Sequence, residues 1–161
     1  MGRIDGRLRE LGIDLPPPLK VPSGVVLPFP WVLVRGDRAF VSGHGPVEAD
    51  GSLARPLGKV GAEVRVEEAV LLARKTGLAI LRSLADELGD LDRIAGWARV
   101  FGMVNAAPGF TETPRVINGF TELILDVFGS ETGRHARSAV GMAELPMQIA
   151  VEIEAEVILR G

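Results

Sequence analysis

The chain has no cysteine and no tyrosine, and only two histidines, His44 and His135. Without thiols there can be no disulfide, no cysteine nucleophile and no thiolate metal site. Two histidines could serve a metal only if carboxylates joined them at ligand spacing, and neither has such neighbours. They read as solvated or hydrogen-bonded loop residues, and nothing implies a metal or another cofactor. Aromatic residues make up only 5% and no Lys/Arg run is present, so the electrostatic footprint of a nucleic-acid binder is missing. No apolar stretch reaches the roughly 18–20 residues that a membrane span needs. The opening Met1-Gly2-Arg3-Ile4-Asp5 lacks the apolar segment of a secretory signal, which makes a cytoplasmic location the expectation.

What remains is aliphatic and mildly acidic: 161 residues, 47% hydrophobic, with a net charge of −3. That length suits one domain with a core of its own. Residues 3–12 predict a short amphipathic helix, with Ile4, Leu8 and Leu11 on one face and Gly12 as its stop. Pro16-Pro17-Pro18 then enforces an extended path, so 1–27 reads as a helix and arm packed on a domain spanning 28–161. Trp31–Val34 and Arg38–Gly43 around Gly36-Asp37 predict a hairpin, and 44–62 a loop with room for one short strand pair. A long helix is expected over 65–88, from Val66 through Ala73 and Ile80 to Leu88, with Gly89 as its cap.

Residues 94–105 look like a strand carrying Trp97, Arg99, Phe101 and Met103 on one face. A second helix should cover about 115–128, burying Val116, Phe120, Leu123 and Val127 and ending at Gly129. Ala139–Ala143 predicts a strand, Glu144-Leu145-Pro146 a break, and Ile149–Leu159 a last strand. There Ile149, Val151, Ile153, Ala155, Val157 and Leu159 alternate with Glu152, Glu154 and Glu156. The order of elements predicts an α+β fold: a sheet with two helices packed on one face.

Few residues stand out as chemistry. Ser42-Gly43-His44-Gly45 is a small-residue turn after a strand. It either brings backbone N–H groups to a ligand or simply turns. Ser42 sits in no nucleophile elbow, and the glycines form no phosphate loop or dinucleotide fingerprint. Arg137 precedes an otherwise apolar strand, where it either caps a surface or grips a carboxylate in a cleft. Glu152, Glu154 and Glu156 repel one another, so their face is either wet or meets basic groups. The 15-residue spacing across a proline break suggests that Arg137 and Glu152 lie on antiparallel neighbouring strands.

Ala136-Arg137-Ser138-Ala139-Val140, Ala143-Glu144-Leu145-Pro146 and Val151-Glu152-Ile153-Glu154-Ala155 together resemble the signature of the Rid (YjgF/RidA) family. Phe40-Val41-Ser42-Gly43 and Asn118 fit the same pattern, and the resemblance spans about residues 28–160. It implies a chorismate-mutase-like mixed sheet, a homotrimer and ligand clefts between subunits. The implied activity is hydrolysis of reactive enamines and imines to 2-keto acid and ammonia. Arg137 would then hold the substrate carboxylate and Glu152 would orient or activate water, with Ser42, Gly43 and Asn118 lining the cleft. Ala139 stands where the family often has Cys, and Phe29 or Trp31 stands nearest its usual Tyr. The segment before Asn118 is about two residues longer. These departures and the N-terminal extension mark a divergent branch, for which a non-catalytic binder of small carboxylate metabolites is the alternative. An endoribonuclease, a name carried by some members, is disfavoured by the acidic balance.

Overall fold

The structure is a computed structural model, and it describes residues 2–161. Helix α1, Arg3–Glu10, is held at its start by the Asp92 carboxylate, which accepts from the Arg3 and Ile4 backbone N–H groups. Ile4 and Leu8 sink into the core as the amphipathic pattern requires, while Leu11 packs at its margin. Strands β1, Val32–Arg35, and β2, Arg38–His44, form the expected hairpin, and Gly36 supplies the positive φ of 58° that the turn demands. The loop after β2 contributes isolated bridges between Val47 and Leu53, between Val60 and Val64, and from Val60 to Ala106.

Helix α2, Val66–Leu88, begins with Glu68 reaching back to the Arg65 N–H and ends at Gly89 in the left-handed conformation. Its buried stripe runs through Ala69, Leu72, Ala73, Thr76, Ile80 and Leu84, with Thr76 returning its hydroxyl to the Leu72 carbonyl. Strand β3 covers Ile94–Asn105. Helix α3, Thr113–Thr132, carries Pro114 in its first turn and breaks helical geometry at Gly129, with φ of 79°. Val116, Phe120, Leu123 and Val127 are all buried. Strands β4, Ala136–Met142, and β5, Val151–Leu159, complete the sheet.

The strand order is β1-β2-β5-β3-β4, with β3 and β4 parallel and the other pairs antiparallel. Helices α2 and α3 lie together on one face of this mixed sheet. They meet closely because Gly119 and Gly77 lack side chains. A Cβ at Gly119 would overlap the Val70 carbonyl oxygen, and one at Gly77 would lie 2.7 Å from Leu123 Cδ2. Among the described residues, no helix packs over the opposite face. Leu33, Phe40 and Ile158 lie there, among Arg38, Arg99, Glu154 and Glu156.

Two expectations need correction. Arg137 and Glu152 are not on neighbouring strands, because β4 pairs with β3 and β5 enters between β2 and β3. The Pro146 break is a 3-10 turn that carries the chain across β3, whereas a hairpin would have paired β4 with β5. Trp97 also does not share a face with Arg99, Phe101 and Met103. A register shift between Trp97 and Arg99 turns Trp97 inward against Phe120 and Phe128, opposite the inward Val157, while Arg99 pairs with the outward Glu156.

Candidate functional site

The predicted residues fall into two groups on opposite faces of the sheet. The first is built on β4 and α3. Arg137 pairs with the core residue Val100, so its side chain points to the helix face, where α3 supplies the acceptors. Its guanidinium donates to Thr121 Oγ1 at 3.0 Å, the Pro114 carbonyl at 3.1 Å and Asn118 Oδ1 at 2.7 Å. All three acceptors are neutral, and no carboxylate among the described residues pairs with Arg137. Burial lowers its pKa, yet a guanidinium stays charged at any physiological pH. The result is a positioned, half-buried cation whose counter-charge is not supplied from within the chain.

Behind it stands His135, whose Nδ1–H donates to the Gly133 carbonyl at 2.7 Å, since a carbonyl can only accept. Nε2 is then left to accept the Thr121 hydroxyl at 3.0 Å, so that Thr121 Oγ1 faces Arg137 as an acceptor. Burial lowers the His135 pKa, against the raising effect of the Gly133 hydrogen bond and with a smaller lowering by the Arg137 charge, which favours the neutral ring in this relay. Thr121 was not among the expected site residues. It lies one helical turn after Asn118, and that i, i+3 spacing was a legible signal.

The second group lies on the open face, where β2 meets β5. Gly43 and Glu152 touch: a Cβ at Gly43 would lie 2.9 Å from Glu152 Oε2 and 3.0 Å from Cδ. Ser42 and Gly43 occupy a register shift in β2, and the Ser42 hydroxyl donates to the Pro30 carbonyl at 2.8 Å, tying the segment that follows the arm to the strand. Burial, with the Glu154 charge second, raises the Glu152 pKa. Glu152 and Gly43 line a cavity of about 900 Å³, whose other walls come largely from Leu19–Phe29, the arm together with the two residues that follow Leu27, and from Leu53, Met147 and Ile149. The arm residues were not anticipated as site residues, since nothing in their spacing says which surface they cover. Among the described residues no group of three His, Asp or Glu side chains is placed to hold a metal ion.

Residues 5–153 match the sequence pattern of the YjgF/chorismate mutase-like family, whose description carries endoribonuclease as a conjectured activity. The chain belongs to that family. Protein TCP17 of Trypanosoma cruzi is 39% identical over 158 residues, covering 98% of this chain and 95% of the relative. The crystal structure of Atu1372 from Agrobacterium tumefaciens, a protein of unknown function, superposes with a TM-score of 0.84 at 39% identity, over 97% of this chain and 91% of that one. A Shewanella oneidensis protein with a conjectured endoribonuclease activity gives a TM-score of 0.86 at 26% identity, over 98% and 100% of the two chains. The mixed sheet with its helices is thus the YjgF, chorismate-mutase-like α+β fold. No helix of the described residues is long and apolar enough to cross a membrane.

Proposed function

We propose that this YjgF-family chain hydrolyses enamine and imine intermediates to 2-keto acid and ammonia in a site completed by a second copy. The observation that carries the reading is Arg137, a cation aimed by three neutral acceptors and left without a counter-charge. Such a group is prepared for the carboxylate of an α-imino acid. Glu152 is the matching base. Its raised pKa makes it a stronger acceptor for a proton from water than an ordinary glutamate.

In the reaction, the water oxygen bonds to the imine carbon while Glu152 takes a proton. That proton passes to nitrogen, giving the neutral carbinolamine. Glu152 then carries the hydroxyl proton to nitrogen in the same way, the carbonyl forms and the C–N bond breaks to release ammonia. An enamine enters as its imine tautomer. An imine carbon is already electrophilic, so orientation and one base suffice. Ser42, Gly43 and Asn118 line the cleft in this scheme.

One copy cannot do this alone. Arg137 and Glu152 lie on opposite faces of the sheet with β3 between them, and the substrate is far smaller than that separation. A homotrimer in which the Arg137 edge of one copy meets the Glu152 cavity of the next would join them.

The experiment is release of ammonia and keto acid from imines generated by an amino-acid oxidase, with Arg137→Ala as comparison. Loss of turnover in the variant is expected, and equal turnover would overturn the reading. A second reading, a non-catalytic sensor of small carboxylates, is favoured by the lack of any tyrosine phenol beside the arm, where Phe29 and Trp31 stand. It predicts stabilisation by keto acids without hydrolysis. The ribonuclease activity conjectured for relatives finds no basic stripe to hold RNA.

A further inference from the structure

The arm carries more information than a tether needs to. Residues 19–29 line the cavity over Glu152, and their contribution is mostly aliphatic or aromatic: Val21, Val25, Leu27 and Phe29. Across the cavity stand Leu53, Met147 and Ile149. Val25 is 51% exposed and Met147 63% exposed, so large apolar side chains are turned toward open space inside a concave site. Glu48, the other carboxylate of the lining, is already bound by Lys75 at 2.7 Å. Lys20, Ser52 and Arg55 also reach the lining, but apolar side chains make up most of it.

The volume, about 900 Å³, is near the upper end of the roughly 300–1,000 Å³ typical of ligand pockets. A three-carbon imine would fill only a small fraction of it. Met147 and Gln148 add a second, independent observation. Both are non-glycine residues in the left-handed region, at φ of 53° and 59°. A backbone held this way at the cavity wall is the sort of local cost that persists at ligand sites. It also presents a thioether, which adapts to varied apolar shapes.

We propose that the arm selects the substrate, reserving the cavity for imino acids with a large apolar side chain: branched aliphatic, thioether or aromatic. This deepens the imine-hydrolase reading and rests on it for where the reacting carbon sits. With the carboxylate on Arg137 of a neighbouring copy and the imine carbon beside Glu152, the side chain points under the arm.

The test compares kcat/KM for imines made in situ from leucine, methionine and phenylalanine with that for the alanine imine. It uses the full chain and the variants Val25→Asp and Phe29→Ala, at positions exposed enough to leave folding intact. We expect at least a ten-fold preference for the large imines in the wild type. In both variants that preference should fall at least ten-fold. A flat preference, or variants that depress all imines equally, overturns the assignment of the arm. In that case loss of every activity in Arg137→Ala still leaves the hydrolase reading standing. If no imine is turned over, the hydrolase reading fails, and thermal shifts decide the arm separately. Larger stabilisation by 4-methyl-2-oxopentanoate than by pyruvate, abolished in Val25→Asp, would retain it. Equal or absent shifts would overturn it.

Discussion

His44 should make the protein sensitive to mild acid. It ends β2 and is buried beneath Trp31, with ring centroids 4.8 Å apart. Its Nδ1–H donates to the Ser42 carbonyl at 2.6 Å, and Nε2 accepts from the Ser83 hydroxyl at 2.9 Å. Burial lowers its pKa to about 4, against a smaller opposing effect of the Ser42 hydrogen bond. Because the folded value is depressed, the unfolded chain binds more protons as the pH falls below the ordinary value of 6.5. The contribution is therefore intact above that value and is lost on acidification. With those two values, linkage removes about 2 kcal/mol by pH 5 and about 3 kcal/mol by pH 4. Urea unfolding of wild type and His44→Gln at pH 7 and pH 5 isolates this amount, since every other titrating group is common to both. Wild type should lose about 2 kcal/mol more than the variant between the two pH values. Parallel losses would refute the account, as would a His44 ring that protonates near pH 6.5 in an NMR titration.

Two further outcomes follow from packing and charge. Gly119→Ala places a methyl group against the Val70 backbone, which cannot move as a side chain can, and should cost about 3 kcal/mol or more. Gly96→Ala, where nothing lies within 4 Å, is the control, and a similar fall in Tm for both would refute the helix-crossing argument. Glu152→Gln should raise stability at pH 7. The Glu152 pKa is raised, so its contribution is full below the ordinary glutamate range and is lost as pH rises through the folded value. The advantage of the variant should therefore shrink toward pH 4, and a Tm difference that does not change with pH would refute it.

Elements governed by local periodicity were legible from the residues. The alternation of β5 and the 3.6-residue stripe of α3 each bury one face; β5 starts two residues later than expected, and α3 starts two residues earlier and runs four residues further, past its break at Gly129. What depended on a partner was not legible. A single register shift after Trp97 reverses which face the residues beyond it occupy, and no residue type announces it. The position of β5 was hidden for a similar reason. Period-two alternation says that a strand has one apolar face, and nothing about which strands flank it. The strand-helix-strand run β3-α3-β4 did contain the clue, since a helical crossover is how parallel neighbours are joined. Of the candidate residues named from the sequence, Asn118 lies on Arg137 and Gly43 on Glu152, whereas the contacts from Thr121, Pro114 and the arm were not legible.

Three features each carry a cost within a single copy. Arg137 is desolvated without a counter-charge, Glu152 carries a raised pKa, and Met147 and Gln148 hold left-handed backbone. Each could have been relieved locally, by a carboxylate on α3, an apolar residue at position 152, or glycine in the turn. Sequences that agree with their fold at every other level keep such conflicts where function requires them. Here the conflicts sort onto two surfaces that one copy cannot bring together. An arginine without a counter-charge lies at one edge, and a glutamate within a largely apolar cavity lies on the open face. In the proposed reaction, a substrate whose carboxylate, electrophilic carbon and apolar side chain lie in that order would satisfy all three by binding between two copies of the chain.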